Sequence, residues 1–335
     1  MDQLAASVHE IASESGFSGV VRVDHRGDTR LSEAFGWAHR GLRQPNTADT
    51  QFAIASGGKG LTALAVVSLI VEGALSLETT ARSVLGEDLP QIAEDVTVWH
   101  LLAHRSGIGD YLDEESEDLD LNDYVLASPV QDLDTTEAFL REVDGFPTKF
   151  GAGERFSYSN GGYIVLAVIA ERAAGVSYHD LVEERVLEPA GMTDTGFLRS
   201  DEPSGRMALG YLHGDGLRTN VFHLPVRGNG DGGVYTTVGD MYLFWHALFN
   251  GLIVPTEWLA EMIRPHSENP EEETRYGLGF WLAPAGATVS LVGGDAGVSF
   301  HSAHNPNDDL TWTVISNTTD GAWPMVRHLK AALHG

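Results

Sequence analysis

The fold is decided by the stretch Phe52-Ala-Ile-Ala-Ser56-Gly-Gly-Lys59-Gly-Leu-Thr-Ala-Leu-Ala-Val-Val-Ser-Leu-Ile-Val71. It begins with small and polar residues and is almost wholly apolar from Leu61 onward. A helix that is apolar on all sides is buried. The stretch therefore predicts a central buried helix with Ser56 at its N-terminal end.

Lys59 follows Ser56 by three positions, so both side chains lie on one face of the predicted helix. A serine hydroxyl beside a lysine amine can act as nucleophile and base. The structural alternative is a helix cap, because serine is a preferred N-cap residue. Two observations favour catalysis. The lysine adjoins an apolar run, and the glycines at 57, 58 and 60 each weaken a first helical turn by roughly 1 kcal/mol relative to alanine.

The composition of the 335 residues is that of an ordinary globular protein, with 42% hydrophobic and 21% charged residues. There is no cysteine, which excludes disulfides and thiolate chemistry. The formal net charge of -27 argues against nucleic acids and anionic membranes as partners, and it disfavours highly anionic substrates. The N-terminus lacks the features of a signal peptide, and no apolar run approaches the roughly 18 residues of a membrane span. We expect a soluble, cytoplasmic protein.

The order of the predicted elements indicates an α+β fold. Residues 2–15 have helical spacing, and residues 17–24 read as a strand. The C-terminal part alternates predicted strands with turns before a final helix; the strands cover 276–282, 288–292, 298–304 and 311–316, and the helix covers about 323–333. Strands near both ends, with helices between them, indicate one antiparallel sheet built from the two ends of the chain and flanked by helices.

This order also predicts how the chain is divided. Residues 1–80 and 226–335 are expected to form the sheet-containing region. Residues 81–225 are expected to form an inserted, mainly helical region. The two would make one structural unit with the active site between them.

Three other motifs receive structural interpretations. His100 and His104 have metal-ligand spacing on a helix, but no glutamate lies between them and no third ligand is evident, so no metal is predicted. The acid-rich segment 109–134 is predicted to be a solvated surface loop or lid. A calcium site is the alternative, but the segment lacks the glycine-containing pattern of a calcium loop. The stretch 228–233 is rich in glycine but has no nearby lysine, so it is interpreted as a tight passage of the backbone.

A second informative turn contains Tyr158 and Asn160 and precedes an apolar helix over residues 164–174. This turn could bring a phenol and a carboxamide to one site. An ordinary turn is the structural alternative, since serine, asparagine and glycine form turns in many proteins.

Taken together, these motifs resemble the serine β-lactamase and penicillin-binding-protein-like hydrolases, in the branch of class C lactamases, D-stereospecific peptidases and lactamase-like esterases. The resemblance covers nearly the whole chain and implies a β-lactamase/transpeptidase-like fold with an inserted all-helical region. Five motifs in the family's order carry it: Phe52-Ala-Ile-Ala-Ser56-Gly-Gly-Lys59, His100-Leu-Leu-Ala-His-Arg-Ser-Gly107, Gly153-Glu-Arg-Phe-Ser-Tyr158-Ser-Asn160-Gly-Gly-Tyr163, Gly230-Asp-Gly-Gly-Val-Tyr-Thr-Thr237 and Tyr276-Gly-Leu-Gly-Phe280.

The resemblance implies a role for each matching residue. Ser56 resembles the acylated nucleophile, and Lys59 and Tyr158 resemble the pair that takes its proton. Which of the two accepts the proton stays open. Asn160 would hold Lys59 and the substrate. The oxyanion hole would use the N–H of Ser56, at the start of a helix, and a second N–H from an edge strand. No cofactor is implied.

One motif departs from the family's pattern. The family has Lys-Thr-Gly or His-x-Gly on a strand where this chain has Leu291-Val-Gly293-Gly294-Asp295-Ala-Gly297-Val298. The favoured register aligns Asp295-Ala-Gly297, with the N–H of Val298 in the oxyanion hole, because a glycine also precedes the family's histidine. The other register aligns Leu291-Val-Gly293, with Gly294 as donor. Both registers lose the cation that the family uses in substrate recognition.

The missing cation and the acidic surface disfavour β-lactams and carboxylate-terminated peptides and favour a neutral ester. The sequence therefore predicts a serine carboxylesterase that acts on a small-molecule ester or amide through an acyl-enzyme on Ser56. A β-lactamase or a D-stereospecific peptidase or amidase is the alternative, and a non-catalytic binding homologue is a further one. The oligomeric state stays open.

Overall fold

The structure is a computed structural model that describes residues 2–116, 119–269 and 273–334. The strands in these residues are β1 (Gly19–His25), β2 (Asp28–Phe35), β3 (Trp37–His39), β4 (Gln44–Pro45), β5 (Phe52–Ala53), β6 (Tyr235–Thr236), β7 (Ser267–Asn269), β8 (Thr274–Tyr276), β9 (Trp281–Leu282), β10 (Val289–Asp295), β11 (Val298–Asn305) and β12 (Leu310–Ser316).

The helices are α1 (Asp2–Ser15), α2 (Lys59–Val71), α3 (Ala81–Leu85), α4 (Val98–Leu102), α5 (Leu140–Val143), α6 (Asn160–Ala174), α7 (Tyr178–Val182), α8 (Glu188–Ala190), α9 (Val238–Phe249), α10 (Thr256–Met262) and α11 (Ala322–His334). None of these helices combines the length and the apolar composition that crossing a membrane requires.

Eight of the strands form one antiparallel sheet in the order β2-β1-β12-β11-β10-β9-β8-β7. Strand β1 pairs with β12 from Gly19 opposite Ser316 to His25 opposite Leu310. The beginning and the end of the chain therefore lie side by side in the sheet, as the order of the predicted elements indicated. This arrangement confirms the predicted α+β, β-lactamase-like fold.

Helices cover both faces of the sheet. The larger hydrophobic core contains α2 and α6, whose residues Leu64 and Val168 are fully buried, together with Phe300 of β11. The smaller core contains Val8 of α1 and Leu329 of α11 against the opposite face. Because α2 is surrounded by other elements, it carries apolar residues on every side.

The central helix begins later than predicted. Ser56 lies in a 3₁₀ turn, Ala55–Gly58, and the α-helix starts at Lys59. The turn is tightly enclosed: a Cβ added at Gly57 would lie 2.5 Å from the Phe300 ring. Two successive glycines disfavour the α-helical conformation and allow this close contact, which explains why the helix does not extend back to Ser56.

The strand predicted over residues 276–282 is interrupted and forms two short strands, β8 and β9. Gly277 lies against Met262, where a Cβ would overlap the carbonyl oxygen. Gly279 has a φ of +91°, a conformation that L side chains rarely adopt, and a Cβ there would overlap the side chain of Ala63. The chain therefore turns between the two strands because Gly277 lets it pack against the end of α10 and Gly279 lets it pack against the central helix α2.

The middle of the chain contains several short helices and the long helix α6, which begins four residues before the predicted residue 164. A 3₁₀ turn, Thr136–Phe139, precedes α5, and α7 continues into a π-helical turn, Glu183–Leu187. Glu117 and Asp118 of the acid-rich segment lie outside the described residues. Helices α3 to α8 end at Ala190, and loops and turns connect them to β6.

Candidate active site

The amine of Lys59 is the centre of the site. Lys59 is 1% exposed, and its Nζ donates to Ser56 Oγ at 3.0 Å, to Asn160 Oδ1 at 2.7 Å and to the carbonyl oxygen of Asp231 at 2.7 Å. An ammonium group can donate to all three oxygens, and a neutral amine can donate to two of them and accept from the Ser56 hydroxyl. The serine and the lysine that the spacing pairs are thus hydrogen-bonded. Asp231 was not predicted, and it contributes through a backbone atom that no side-chain motif reveals.

Ser56 is held in position by a strained turn against the sheet. Ala55, the residue before it, has a φ of +44°, which is unusual for a residue with a side chain. Strand β9 pairs with β10 only as far as Ser290. Further along β10, the Ser56 turn lies against Gly293. A Cβ at Gly293 would overlap the carbonyl oxygen of Ile54 and would lie 2.9 Å from the nitrogen of Gly57. Only glycine allows this contact between backbones.

Asn160 connects the lysine to the acid-rich segment. It is the first residue of α6, and Ser159 caps that helix by accepting the N–H of Gly162 at 3.0 Å. The Asn160 side chain accepts from Lys59 through Oδ1, and its Nδ2 donates to the carbonyl of Leu112 and to Glu114 Oε1, both at 3.0 Å. The cap and these bonds fix the carboxamide with its oxygen toward the amine.

Tyr158 lies beside the same amine. Its ring centre is 4.9 Å from Lys59 Nζ, and the ring packs between His104, at 4.3 Å, and Trp281, at 5.9 Å and nearly parallel. His104 also accepts the N–H of Ser159 through Nδ1 at 3.0 Å. The histidine interpreted as structural therefore positions the turn that carries Tyr158 and Asn160. The sequence predicted a packing role for His104, and the structure shows that it packs against Tyr158 and bonds to the backbone of Ser159.

Burial shifts the ionisation of Lys59 and Tyr158 in opposite directions. Burial lowers the pKa of Lys59, against the opposing effect of nearby carboxylates, Asp231 first and Glu114 next. Burial raises the pKa of the Tyr158 phenol well above its usual value, and the Ser56 hydroxyl only partly offsets this. The environment thus moves the amine toward its neutral form and moves the phenol away from the phenolate.

The altered motif lies at the hairpin between β10 and β11. Asp295 and Val298 line, together with Ser56, an enclosed cavity of about 60 Å³. Leu291 instead lies in the larger core, 2% exposed, with its side chain against Gly60. Asp295 is therefore at the cavity and Leu291 is not. The identity of the second oxyanion donor stays a prediction.

A second, open groove of about 840 Å³ also reaches Ser56. Tyr158 and Trp281 form one part of its wall, and Gly293 and Gly294 of β10 form another. Ser56 thus stands between a small cavity and a wide groove. A substrate can place its acyl part in one and its leaving group in the other.

The acid-rich segment forms part of the site wall as well as the surface. Asp110 Oδ1 accepts the N–H of Gly161 at 3.0 Å, at the start of α6. The hydroxyls of Tyr111 and Tyr124 donate to the carboxylates of Asp231 and Asp295, in the second case at 3.0 Å. Two tyrosines within an acidic run are a sequence signal that could have indicated these buried contacts. The segment was predicted to be only a surface loop or lid.

The histidine pair does not form a metal centre. His100 Nδ1 accepts the N–H of Thr97 at 3.1 Å and completes the N-terminal cap of α4, whereas His104 lies beside Tyr158. No group of three or more histidine, aspartate or glutamate side chains in the described ranges could hold a metal ion.

Comparisons with known proteins cover almost the whole chain. The family model described as Beta-lactamase matches residues 4–334. Penicillin-binding protein 4* of Bacillus subtilis (strain 168) is 29% identical over 334 residues, 95% of this chain and 72% of that protein. Esterase EstB of Burkholderia gladioli is 30% identical over 304 residues, 79% of this chain and 74% of EstB.

Among solved structures, a penicillin-binding protein from Bacillus halodurans superimposes with a TM-score of 0.90 at 34% identity, covering 97% of this chain and 99% of that chain. The similarity thus extends to the complete architecture. The chain belongs to the β-lactamase family, whose members among these relatives include penicillin-binding proteins and an esterase.

Proposed function

We propose that this protein is a serine carboxylesterase that forms an acyl-enzyme on Ser56. The observation that carries the proposal is the 3.0 Å hydrogen bond between Lys59 Nζ and Ser56 Oγ. Ser56 Oγ attacks the ester carbonyl carbon while its proton passes to the neutral amine of Lys59. The tetrahedral intermediate then expels the alcohol, which takes up a proton, and water hydrolyses the acyl-enzyme.

Lys59 acts as the proton acceptor in this proposal, and Tyr158 remains a neutral phenol. Burial lowers the pKa of the first group and raises that of the second, so the amine loses its proton more readily than the phenol at neutral pH. A neutral phenol beside Ser56 can donate a hydrogen bond to the leaving-group oxygen and stabilise its developing charge. The bond from Asn160 keeps the amine aimed at the hydroxyl.

An ester is favoured over a β-lactam or a peptide with a free carboxylate. A carboxylate would need a cation near Ser56, and the altered motif places an aspartate at the cavity and a leucine in the core. Asp231 and Glu114 add further negative charge around Lys59. The similarity to EstB, an esterase, supports the same choice.

The proposal is tested by turnover of p-nitrophenyl butyrate next to a chromogenic cephalosporin and D-alanyl-D-alanine p-nitroanilide. We expect ester turnover that Ser56→Ala abolishes, and labelling of the wild type, but not of this variant, by a fluorophosphonate probe. Faster turnover of the cephalosporin or of the D-peptide would favour the alternative activities. A folded protein with no turnover and no labelling would favour the non-catalytic homologue.

A further inference from the structure

Two carboxylates at the cavity beside Ser56 have no role in the proposed acyl transfer. Asp231 and Asp295 both line the cavity, and each raises the pKa of Lys59 through its charge. Their side-chain hydrogen bonds come from the neutral hydroxyls of Tyr111 and Tyr124. In the part of the chain that the structure describes, neither carboxylate forms an ion pair with an arginine or a lysine. Buried carboxylates are normally paired with a cation.

Asp295 has bonding capacity left over. Its Oδ1 accepts both the Tyr124 hydroxyl at 3.0 Å and the N–H of Ala296 at 2.7 Å, whereas neither bond uses Oδ2. Burial raises the pKa of Asp295 to about 7, and the charges of Asp231 and Glu114 act in the same direction. Burial therefore opposes ionisation of Asp295, and a cation in the cavity would favour the ionised form.

An unpartnered carboxamide in the same wall gives a second, independent observation. Asn229 lines the cavity and is 1% exposed, yet neither its Oδ1 nor its Nδ2 has a hydrogen-bond partner among the described residues. Its backbone is held by reciprocal bonds with Gly232, so the side chain is kept in place. Buried polar atoms without partners are rare and indicate a missing polar group.

We propose that this cavity binds an acyl group that carries a protonated amine, with the ammonium between Asp231 and Asp295 and within reach of Asn229. The inference rests on the proposed function and names the substrate class for the same site. An ammonium offers three donors to these oxygen acceptors and balances their charge. An organic cation fits better than a metal ion, because the described residues contain no set of three metal-ligating side chains.

The size and walls of the cavity limit the length of the acyl group. About 60 Å³ accommodates only a few carbon atoms beyond the carbonyl. Its apolar walls, which include Leu126, Leu198 and Val226, suit methylene groups between the carbonyl and the amine. The substrate class is therefore a short aminoacyl ester, and its alcohol would lie in the open groove.

The test compares two esters that differ only in charge at one end: p-nitrophenyl β-alaninate, which ends in an ammonium, and p-nitrophenyl butyrate, which ends in a methyl group. Each kcat/KM is divided by the spontaneous hydrolysis rate of its ester. We expect the wild type to prefer the β-alanine ester at pH 7.5 by about tenfold or more. Asp295→Asn should lower kcat/KM for the β-alanine ester at least about tenfold more than it lowers kcat/KM for the butyrate ester.

The matched control is Asp123→Asn, which removes one charge from an exposed aspartate of the acid-rich segment and should keep the preference. Protection of Ser56 from the fluorophosphonate probe by propylammonium, but not by propanol, is expected in the wild type and requires no variant. Equal or lower use of the β-alanine ester, with normal butyrate turnover, overturns this inference and leaves the proposed function intact. Loss of turnover and labelling with both esters overturns both.

Discussion

Replacing Asp295 by asparagine should stabilise the protein, and the gain should increase with pH. The carboxylate is half-buried, faces Asp231 and Glu114, and has a pKa of about 7 instead of 3.8. Between these two values the folded state keeps a proton that the unfolded state has lost. The free energy of unfolding therefore falls as pH rises through this window and is flat above it. Asparagine does not titrate and can keep both bonds at its Oδ1.

The size of the effect follows from the width of the window. From pH 5 to about 7 the folded and unfolded states differ by nearly one proton at this group, and each pH unit corresponds to about 1.4 kcal/mol. The upper bound on the added gain between pH 5 and pH 8 is thus about 3 kcal/mol. Because the carboxylate is only half-buried, solvent screens its charge, and we expect about 1–2 kcal/mol.

Urea unfolding of the wild type and Asp295→Asn at pH 5 and pH 8 measures this difference directly. Asp123→Asn is the control: its side chain is exposed, and we expect it to change the free energy of unfolding by less than about 0.5 kcal/mol at either pH. A gain that is no larger at pH 8 than at pH 5 would refute the reasoning. A loss of stability at pH 8 would show that the hydrogen bonds of the carboxylate matter more than its charge.

Two further predictions concern the residues that surround Ser56: the lysine that accepts its proton in the proposal and the glycine against which its turn packs. Lys59→Met should lower kcat/KM for p-nitrophenyl butyrate by about 10³-fold or more, and the wild-type kcat/KM should rise with pH as Lys59 becomes neutral, at a pH below the usual lysine pKa. A loss of less than tenfold, or activity that falls as pH rises, would contradict this role. Gly293→Ala should destabilise the fold by about 2 kcal/mol or more, because its Cβ would overlap the Ile54 carbonyl oxygen, whereas Gly294→Ala, whose nearest neighbour is the Trp323 ring at 3.5 Å, should be tolerated. Equal thermal stability of the two variants would contradict this difference.

Local spacing predicted the parts of the site that are close in sequence. Ser56 and Lys59 are three residues apart, and they bond as that spacing indicates even though a 3₁₀ turn replaces the first helical turn. Glycines mark the places where backbones meet, at Gly57 and in the stretch 228–233, where a Cβ on Gly232 would lie 2.6 Å from the Ala55 carbonyl oxygen. The serine–lysine spacing and the clustered glycines each lie within a few residues of the chain, so they can be recognised in a single sequence.

Contacts between distant segments could not be predicted in the same way. Asp231 accepts from Lys59 through its backbone carbonyl, an atom that every residue has. Asp295 and Leu291 are four residues apart on β10 and so lie on the same face of the strand. Which of them lies at the cavity depends on where along β10 the Ser56 turn packs, and that contact joins distant segments. Tyr111 and Tyr124 reach the site because their segment packs against the start of α6, a contact that the acidic composition of the segment did not indicate.

The contact of the Ser56 turn with Gly293 also determines when the proposed active site can form. During synthesis, Ser56 leaves the ribosome long before β10, the strand that its turn contacts, has been made. Until β10 pairs with β11 and β12, the strained conformation at Ala55 lacks its support. A nascent chain therefore carries the serine and the lysine before the contacts that hold them together exist, and the proposed active site can form only after the last strands have folded.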